Sequence, residues 1–213
     1  MMKKGILLQG PVSEWTIDIV NEYKENFEDT VILLSTWTNE NITNVACDYI
    51  QIKPPEPTYP QNSNINQQIL GTKNGINKID ADVVLKTRTD QFIHNNQIFD
   101  IFEKNCPKHK IMTTDLNSWS DRDYRISDFC QLATKNVLQD YWNNIPLFDG
   151  SYAIAPEVYL TKNYVVNFKK DSRPWNEIMN EYFFIRDYHK DFKIEFQKFF
   201  EDDAKQDWFE KMI

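Results

Sequence analysis

Short, predominantly apolar segments alternate with helix-like segments through the first 90 residues, and this alternation constrains the fold more than any other feature. The apolar segments lie at residues 5–10, 31–34, 49–52 and 83–87. Strands that are apolar throughout, and not only at every second position, are typically buried on both faces of a sheet. The pattern therefore predicts an α/β fold with a central, mostly parallel sheet flanked by helices.

Capping residues and apolar stripes predict where the helices begin. Ser13 is expected to cap a helix whose stripe ends at Phe27, and Asn64 a helix with a stripe from Ile65 to Ile79. Beyond residue 90 the expected elements are helices over 96–105, from Ser127 to Tyr141 or Trp142, from Pro156 and from Pro174, strands over 110–114 and 151–155, and an amphipathic helix over 199–213. A length of 213 residues without a repeat or convincing linker favours one domain.

The charge balance argues against one class of partner. Lys and Arg number 24 against 32 Asp and Glu, which gives a net charge of −8. A nucleic-acid-binding protein needs a basic face to neutralise phosphates, so no nucleic-acid partner is expected. A small anion can still be held by a few local donors or by a metal ion.

Cysteines and apolar runs bear on the compartment. The three cysteines lie far apart without a CxxC pair, which argues against a disulfide framework and a zinc site. The apolar run that starts at Ile6 stops at Gln9, too early for a signal peptide. No apolar stretch of about 18 residues is present, so no transmembrane segment is expected. These features lead us to expect a soluble, cytoplasmic protein.

Polar clusters follow three of the expected strands where each strand ends. They are Gln9-Gly10-Pro11, Ser35-Thr36-Trp37 and Arg88-Thr89-Asp90. Ligands of open α/β sheets bind outside the carboxyl ends of the strands, so a parallel sheet would bring these clusters to one site. The alternative is that each cluster only provides the polar residues with which a strand leaves the sheet.

The common nucleotide and hydrolase signatures are absent. The sequence has no GxGxxG after the first strand, no GxxxxGK[ST] and no GxSxG. Their absence argues against a Rossmann dehydrogenase, a P-loop enzyme and an α/β-hydrolase. A sugar-nucleotide nucleotidyltransferase is expected to carry a glycine-rich loop with Arg and Lys after the first strand. Residues 9–13 do not form such a loop.

Asp90 and Arg88 suggest how a diphosphate is held. Mn²⁺ and Mg²⁺ prefer oxygen ligands, and one carboxylate together with phosphate oxygens and water can complete their shell. Asp90, at the end of a buried strand, is placed for this role. Arg88 offers a planar fork for a phosphate or a carboxylate. An Arg-x-Asp triplet is also common as an ordinary ion pair.

Several of these segments, in this order, resemble the WavE-type glycosyltransferases associated with lipopolysaccharide synthesis. The similar segments are Leu7–Pro11, Leu34–Trp37, Asn64–Ile69 with Thr72 and Gly75, Leu85–Asp90, Ser127–Phe129 and Pro156–Leu160. The resemblance covers most of residues 5–160. Related domains also occur in glycan-building enzymes of large algal viruses, and this chain resembles those as well.

The resemblance implies a GT-A-like fold, a nucleotide-sugar donor and Mn²⁺ or Mg²⁺ as cofactor. It also implies that Arg88-Thr89-Asp90 occupies the place where GT-A enzymes usually carry Asp-x-Asp, with one metal ligand missing. His189 is the candidate for the missing metal ligand, and its alternative is an ordinary surface histidine. Asp128 and Glu157 are the candidates for activating the acceptor, since a carboxylate can serve as a general base. The alternative for both is stabilisation of a helix N-terminus.

The function expected from the sequence is transfer of a sugar from a UDP-sugar to a glycan acceptor. The nucleotide-binding half would span about 1–95 and the acceptor half about 96–213. Asn66 and Arg88 are expected near the diphosphate. The residues expected to line the nucleoside pocket are Gln9, Gly10, Pro11, Thr36 and Trp37. Two alternatives are a non-catalytic glycan- or nucleotide-binding domain and a sugar-nucleotide nucleotidyltransferase.

Overall fold

The computed structural model describes residues 2–197, and the helix expected over 199–213 lies outside them. The strands are β1 Lys4–Gln9, β2 Val31–Trp37, β3 Asp48–Ile52, β4 Val83–Arg88, β5 Gln91–Ile93, β6 Ile111–Thr114, β7 Gln131–Thr134, β8 Phe183–Arg186 and β9 Ile194–Phe196. The helices are α1 Thr16–Asn26, α2 Ile65–Lys78, α3 Ile98–Asn105, α4 Lys135–Asn143, α5 Pro156–Lys162 and α6 Trp175–Tyr182, with π-helical segments at Asn163–Phe168 and Tyr188–Phe192.

Seven strands form the central sheet in the order β3-β2-β1-β4-β7-β6-β8. The strand β7 pairs antiparallel with both of its neighbours, whereas all other pairs in this sheet are parallel. Six of these seven strands therefore share one direction, which confirms the expected mostly parallel sheet. A separate antiparallel pair joins β5 to β9.

Helices cover both faces of the sheet because its central strands are apolar on both sides. Leu7 belongs to a buried cluster with α2, α4, α5 and α6, while the adjacent Ile6 and Leu8 belong to a second cluster with α1 and α3. Successive side chains of a strand point to opposite faces, so these two clusters form the two layers of the core. Among the described residues, no helix has the length and apolar character needed to cross a membrane.

The reversed strand β7 determines which residues lie beside the carboxyl ends of the parallel strands. Because β7 runs against β4, with Lys86 opposite Gln131, its start lies where β4 ends. The residues just before β7 are therefore brought to the same edge as the carboxyl ends of β1, β2 and β4. Asp128 reaches that edge for this reason.

Several expected boundaries were wrong. Residues 131–134 form β7 instead of part of the helix expected from Ser127, because pairing with β4 outweighs the helix-like spacing of their apolar side chains. Residues 151–155 are not a strand, and α1 begins at Thr16 instead of directly after Ser13. The hydroxyl of Thr16 accepts a hydrogen bond from the Ser13 amide at 2.8 Å, which holds residues 13–15 outside the helix.

The packing of α2 on β1 depends on Gly75. This glycine is buried against Leu7, and a methyl group added to it would overlap both terminal methyl groups of that side chain. Leu7 is itself fully buried, so it has little room to move. The position of α2 relative to the sheet is therefore set by a close approach that only glycine permits.

Gly75→Ala should lower the free energy of unfolding by about 1–2 kcal/mol, because the overpacking cost exceeds the gain in helix propensity. Denaturant unfolding measures the change. Asn74→Ala, at the neighbouring exposed position of the same helix, gains helix propensity without a clash and is the matched control. A Gly75→Ala chain as stable as the unchanged protein would show that α2 is free to shift.

Candidate functional site

The turn after β1 is bonded to the turn after β4. Gly10 adopts φ of 140°, a conformation suited to glycine, and its amide donates to the Ser35 carbonyl at 3.2 Å. The Thr89 hydroxyl donates to the Pro11 carbonyl at 2.5 Å, and the Thr16 hydroxyl donates to the Thr89 carbonyl at 2.9 Å. The cluster after β1 therefore lies in direct contact with both of the other polar clusters.

Gln9 links the end of β1 to the first turn of α2. Its side chain is buried against the α2 backbone at Gly71, and its Nε2 approaches the Gln67 carbonyl at 3.5 Å. The helix α2 follows β3 and precedes β4, so its N-terminus lies at the carboxyl edge of the parallel strands. The cluster after β2 also contacts α2, since the Ser35 hydroxyl donates to the Gly71 carbonyl at 2.7 Å.

Thr36 and Trp37 are both buried in this structure. The Thr36 hydroxyl has no hydrogen-bond partner among residues 2–197. The Trp37 carbonyl accepts from Gln51 Nε2 at 3.1 Å. Buried hydroxyl groups are nearly always hydrogen-bonded, so the hydroxyl of Thr36 is available to a partner from outside the described residues.

Arg88 and Asp90 form a two-pronged ion pair at the end of β4. Arg88 Nε and Nη2 each donate to one carboxylate oxygen of Asp90 at 2.8 Å. The guanidinium also lies 4.9 Å from the ring centre of Phe196, and the Gln197 amide donates to the Asp90 carbonyl at 3.0 Å. Burial opposes the charge on Arg88, but the hydrogen bonds and charge of Asp90 outweigh it and raise the pKa of Arg88.

Lys86 is fully buried two residues before Arg88 on the same face of β4. Its ammonium donates to the Asp128 carbonyl at 2.6 Å and lies 5.3 Å from the ring centre of Trp142. Burial lowers the pKa of Lys86 to about 8, and the charge of Asp128 opposes that shift in part. The charge of Asp128 also acts to raise the pKa of Arg88. Lys86, Arg88, Asp90 and Asp128 form what we call the strand-end charge cluster.

Asn66 and Glu157 have partners in the protein itself. The Asn66 amide donates to the Phe148 carbonyl at 2.9 Å and accepts from the Phe148 amide at 2.7 Å. Glu157 is buried, and its Oε1 accepts from Arg125 Nη2 at 2.7 Å and from Asn117 Nδ2 at 3.0 Å. Both side chains therefore fix loops near the site, and their expected contacts with ligand stay predictions.

His189 lies in the π-helical segment that follows β8. It is exposed, its amide donates to Asp187 Oδ1 at 2.9 Å, and its ring lies edge-on to Tyr188. In the sheet, β7 and β6 separate β8 from β4, at whose end Asp90 lies. Within residues 2–197, no three side chains of His, Cys, Asp or Glu are grouped so as to hold a metal ion.

Two features of the site were not anticipated from the sequence. Lys86 was missed, although a lysine directly after the apolar residues Val83–Leu85, within the expected buried strand, is an available signal. The strand β9, which places Phe196 against Arg88, gave no signal because three residues carry too little pattern.

A family described as WavE lipopolysaccharide synthesis matches residues 5–211 of this chain. Comparison with curated proteins gives no match. Among solved structures, S. aureus TarS is similar with a TM-score of 0.50 at 11% identity, over 78% of this chain and 34% of TarS. The glycosyltransferase GlyE of Streptococcus pneumoniae TIGR4 gives 0.46 at 9% identity, over 78% of this chain and 44% of GlyE.

A third similar structure is the 4-diphosphocytidyl-2C-methyl-D-erythritol synthase of Anaerococcus prevotii, with a TM-score of 0.49 at 10% identity, over 87% of each chain. At these identities the likeness concerns the fold alone. This chain spans less than half the length of GlyE and of TarS. Its architecture is the GT-A-like α/β fold expected from the sequence.

The low pKa of Lys86 makes stability depend on pH. The pKa in the folded chain, about 8, lies below the ordinary 10.5, so the unfolded chain binds more protons between these values. The contribution of Lys86 to stability therefore rises with pH in that range. From pH 7 to pH 9 the free energy of unfolding of the unchanged protein should rise by about 1 kcal/mol relative to that of Lys86→Met. Denaturant unfolding at the two pH values measures this change.

Lys135→Met is the control for that comparison. Lys135 is half-buried, and its ammonium also donates to a backbone carbonyl, that of Ile79, at 2.6 Å. It therefore shows the effect of losing this kind of hydrogen bond. The account would be contradicted if the difference in unfolding free energy between the unchanged protein and Lys86→Met did not change with pH. A change with rising pH in favour of Lys86→Met would also contradict the lowered pKa of the buried Lys86 ammonium.

Proposed function

Because this chain belongs to the WavE lipopolysaccharide synthesis family, we propose that it is a glycosyltransferase that moves a sugar from a UDP-sugar to a glycan acceptor. The observation that carries the proposal is the strand-end charge cluster, which lies beside the bonded turns after β1 and β4. Ligands of α/β sheets bind at this edge. A cluster with two cations and two carboxylates suits a diphosphate at one end and a hydroxyl nucleophile at the other.

The nucleoside is assigned to the turn after β1 and the end of β2. Gln9, Gly10 and Pro11 would line one side, and Thr36 and Trp37 the other. The support comes from the buried, unpaired hydroxyl of Thr36, which the polar edge of a pyrimidine would satisfy. A small movement of the turn must expose these buried residues when the nucleotide enters.

Arg88 is assigned to the diphosphate. In the free protein its guanidinium is neutralised by Asp90, and a phosphate offers the same planar arrangement of two acceptor oxygens. Diphosphate binding would therefore transfer Arg88 from Asp90 to the ligand. The exchange keeps the guanidinium paired throughout, which avoids the cost of an uncompensated, largely buried charge.

The transfer of Arg88 from Asp90 to the diphosphate would also leave the Asp90 carboxylate available to a cation. Asp90 is the carboxylate that this exchange would free, and one or two carboxylates with phosphate oxygens and water suffice for Mn²⁺ or Mg²⁺. The residues therefore fit a cation that arrives with the diphosphate, and His189 is proposed as a further ligand. The bound ion would supply neutralisation of the charge that develops on the leaving diphosphate.

Asp128 is the proposed general base for the acceptor hydroxyl, and Glu157 the weaker candidate. Asp128 is buried just before β7, and its backbone carbonyl accepts from the Lys86 ammonium at 2.6 Å, which holds this residue beside the cluster. A carboxylate next to the acceptor hydroxyl can take its proton as a general base. The carboxylate of Glu157 is bound to Arg125 and Asn117, which suits a role in positioning the loop at 117–125.

Calorimetry of UDP binding with and without Mn²⁺ tests the proposal. Mn²⁺ should raise the affinity for UDP by about tenfold or more in the unchanged protein, and Asp90→Asn should lose this gain. UDP should bind better than GDP. Incubation with UDP-sugars and Mn²⁺ should release UDP.

The matched control is Asp171→Asn. Asp171 also forms a two-pronged pair with an arginine two residues away, Arg173, but its other side-chain partner is Tyr182. This variant should bind UDP like the unchanged protein. Full Mn²⁺-dependent affinity in Asp90→Asn would contradict the metal assignment. Release of pyrophosphate from a nucleoside triphosphate, without turnover of UDP-sugars, would favour a nucleotidyltransferase.

A further inference from the structure

A cavity of about 370 Å³ lies between the segment that leads into α2 and the segment that leads into α5. Its size falls in the range of small-ligand pockets. The residues that line it are Gln61, Asn62, Ser63, Asn64, Phe148, Tyr152, Ala153, Ile154 and Pro156. None of these described lining residues carries a charge, so the cavity offers no cationic side chain to a phosphate or a carboxylate.

The polar part of the lining consists of amides and hydroxyls. The side chains of Gln61 and Asn62 are exposed and make no hydrogen bond with any other residue of the described chain. An amide both donates and accepts, as does a hydroxyl group of a sugar. These two side chains are therefore free to bind a ligand that carries several neutral hydroxyls.

The apolar part of the lining is aromatic. Tyr152 is 50% exposed and stands perpendicular to Phe148, with ring centres 5.4 Å apart. Phe148 is buried and also contacts Tyr159 edge-on at 5.1 Å. Tyr152 therefore presents an open ring on a fixed base, and the C–H groups of one face of a pyranose can pack on such a surface.

The cavity is held in shape by bonds that join its two walls. The two hydrogen bonds between Asn66 and the Phe148 backbone connect α2 to the aromatic wall. The backbone amide of Gln61 donates to the Gly150 carbonyl at 3.1 Å and connects the segment before α2 to the segment before α5. A pocket already shaped in this way loses little conformational entropy when a ligand binds.

The cavity also lies next to the strand-end site. Asn64 lines it, and Gln67, whose carbonyl is approached by Gln9, lies three residues further along α2. Three residues correspond to roughly one helical turn, or about 5 Å. A sugar in the cavity would therefore lie beside the proposed nucleotide site and would not occupy the same place.

We propose that this cavity binds a neutral pyranose unit of the glycan acceptor, with Tyr152 as the stacking platform and Gln61 and Asn62 as hydroxyl-binding groups. This proposal rests on the proposed glycosyltransferase function, because it assigns the cavity to the acceptor of that reaction. The binding itself needs neither nucleotide nor metal, because the described lining contains no charged residue.

Saturation-transfer NMR with methyl glycosides of glucose, galactose, mannose and N-acetylglucosamine tests the proposal without UDP or metal. At least one glycoside should receive saturation from the unchanged protein. Tyr152→Ala should weaken its affinity by about threefold to tenfold, the size expected for one aromatic contact. Tyr152→Phe keeps the ring and should bind like the unchanged protein.

Tyr49→Ala is the matched control, because Tyr49 is 53% exposed and lies on β3 outside the cavity. It should not change the affinity for the glycoside. Absence of saturation transfer to all four glycosides, or unchanged affinity in Tyr152→Ala, would overturn the proposal. The calorimetric UDP experiment is independent, so retained Mn²⁺-dependent UDP binding in that case would leave the proposed function standing.

Discussion

The hydrogen bond from the buried ammonium of Lys86 to the Asp128 carbonyl is the interaction on which the candidate site depends. A buried ammonium is costly unless it is paired, so this bond fixes the residues before β7 against β4. The antiparallel pairing of β7 with β4 then places Asp128 beside Arg88. Without the reversed strand, Asp128 would lie at the opposite edge of the sheet from the Arg88–Asp90 pair.

Arg88 and Asp90 are paired with each other in this structure, so the ligand binding that we propose requires an exchange of partners. Arg88 and Asp90 neutralise each other, and the buried site would otherwise hold uncompensated charges. A diphosphate and a divalent cation carry the two complementary charges. In the complex that we propose, Arg88 pairs with the diphosphate and Asp90 with the cation, so both groups stay paired when the ion pair opens.

The sequence predicts the parallel half of the fold well because that information is local. The strands β1 to β4 are apolar runs, and the convergence of the clusters after β1, β2 and β4 follows from parallel topology alone. The reversal of β7 was missed because it depends on pairing with a strand more than 40 residues away. The Asn66–Phe148 contact spans 82 residues, and nothing near Asn66 indicates it. The roles of Asp90, Asp128 and His189 with ligand stay predictions.

Anomalous diffraction from crystals grown with UDP and Mn²⁺ tests the exchange between Arg88 and Asp90 most directly. The account predicts a manganese peak in coordination contact with Asp90 and a diphosphate oxygen, with the Arg88 guanidinium turned from Asp90 to the diphosphate. An intact Arg88–Asp90 pair in a UDP-bound chain, with manganese elsewhere or absent, would contradict it.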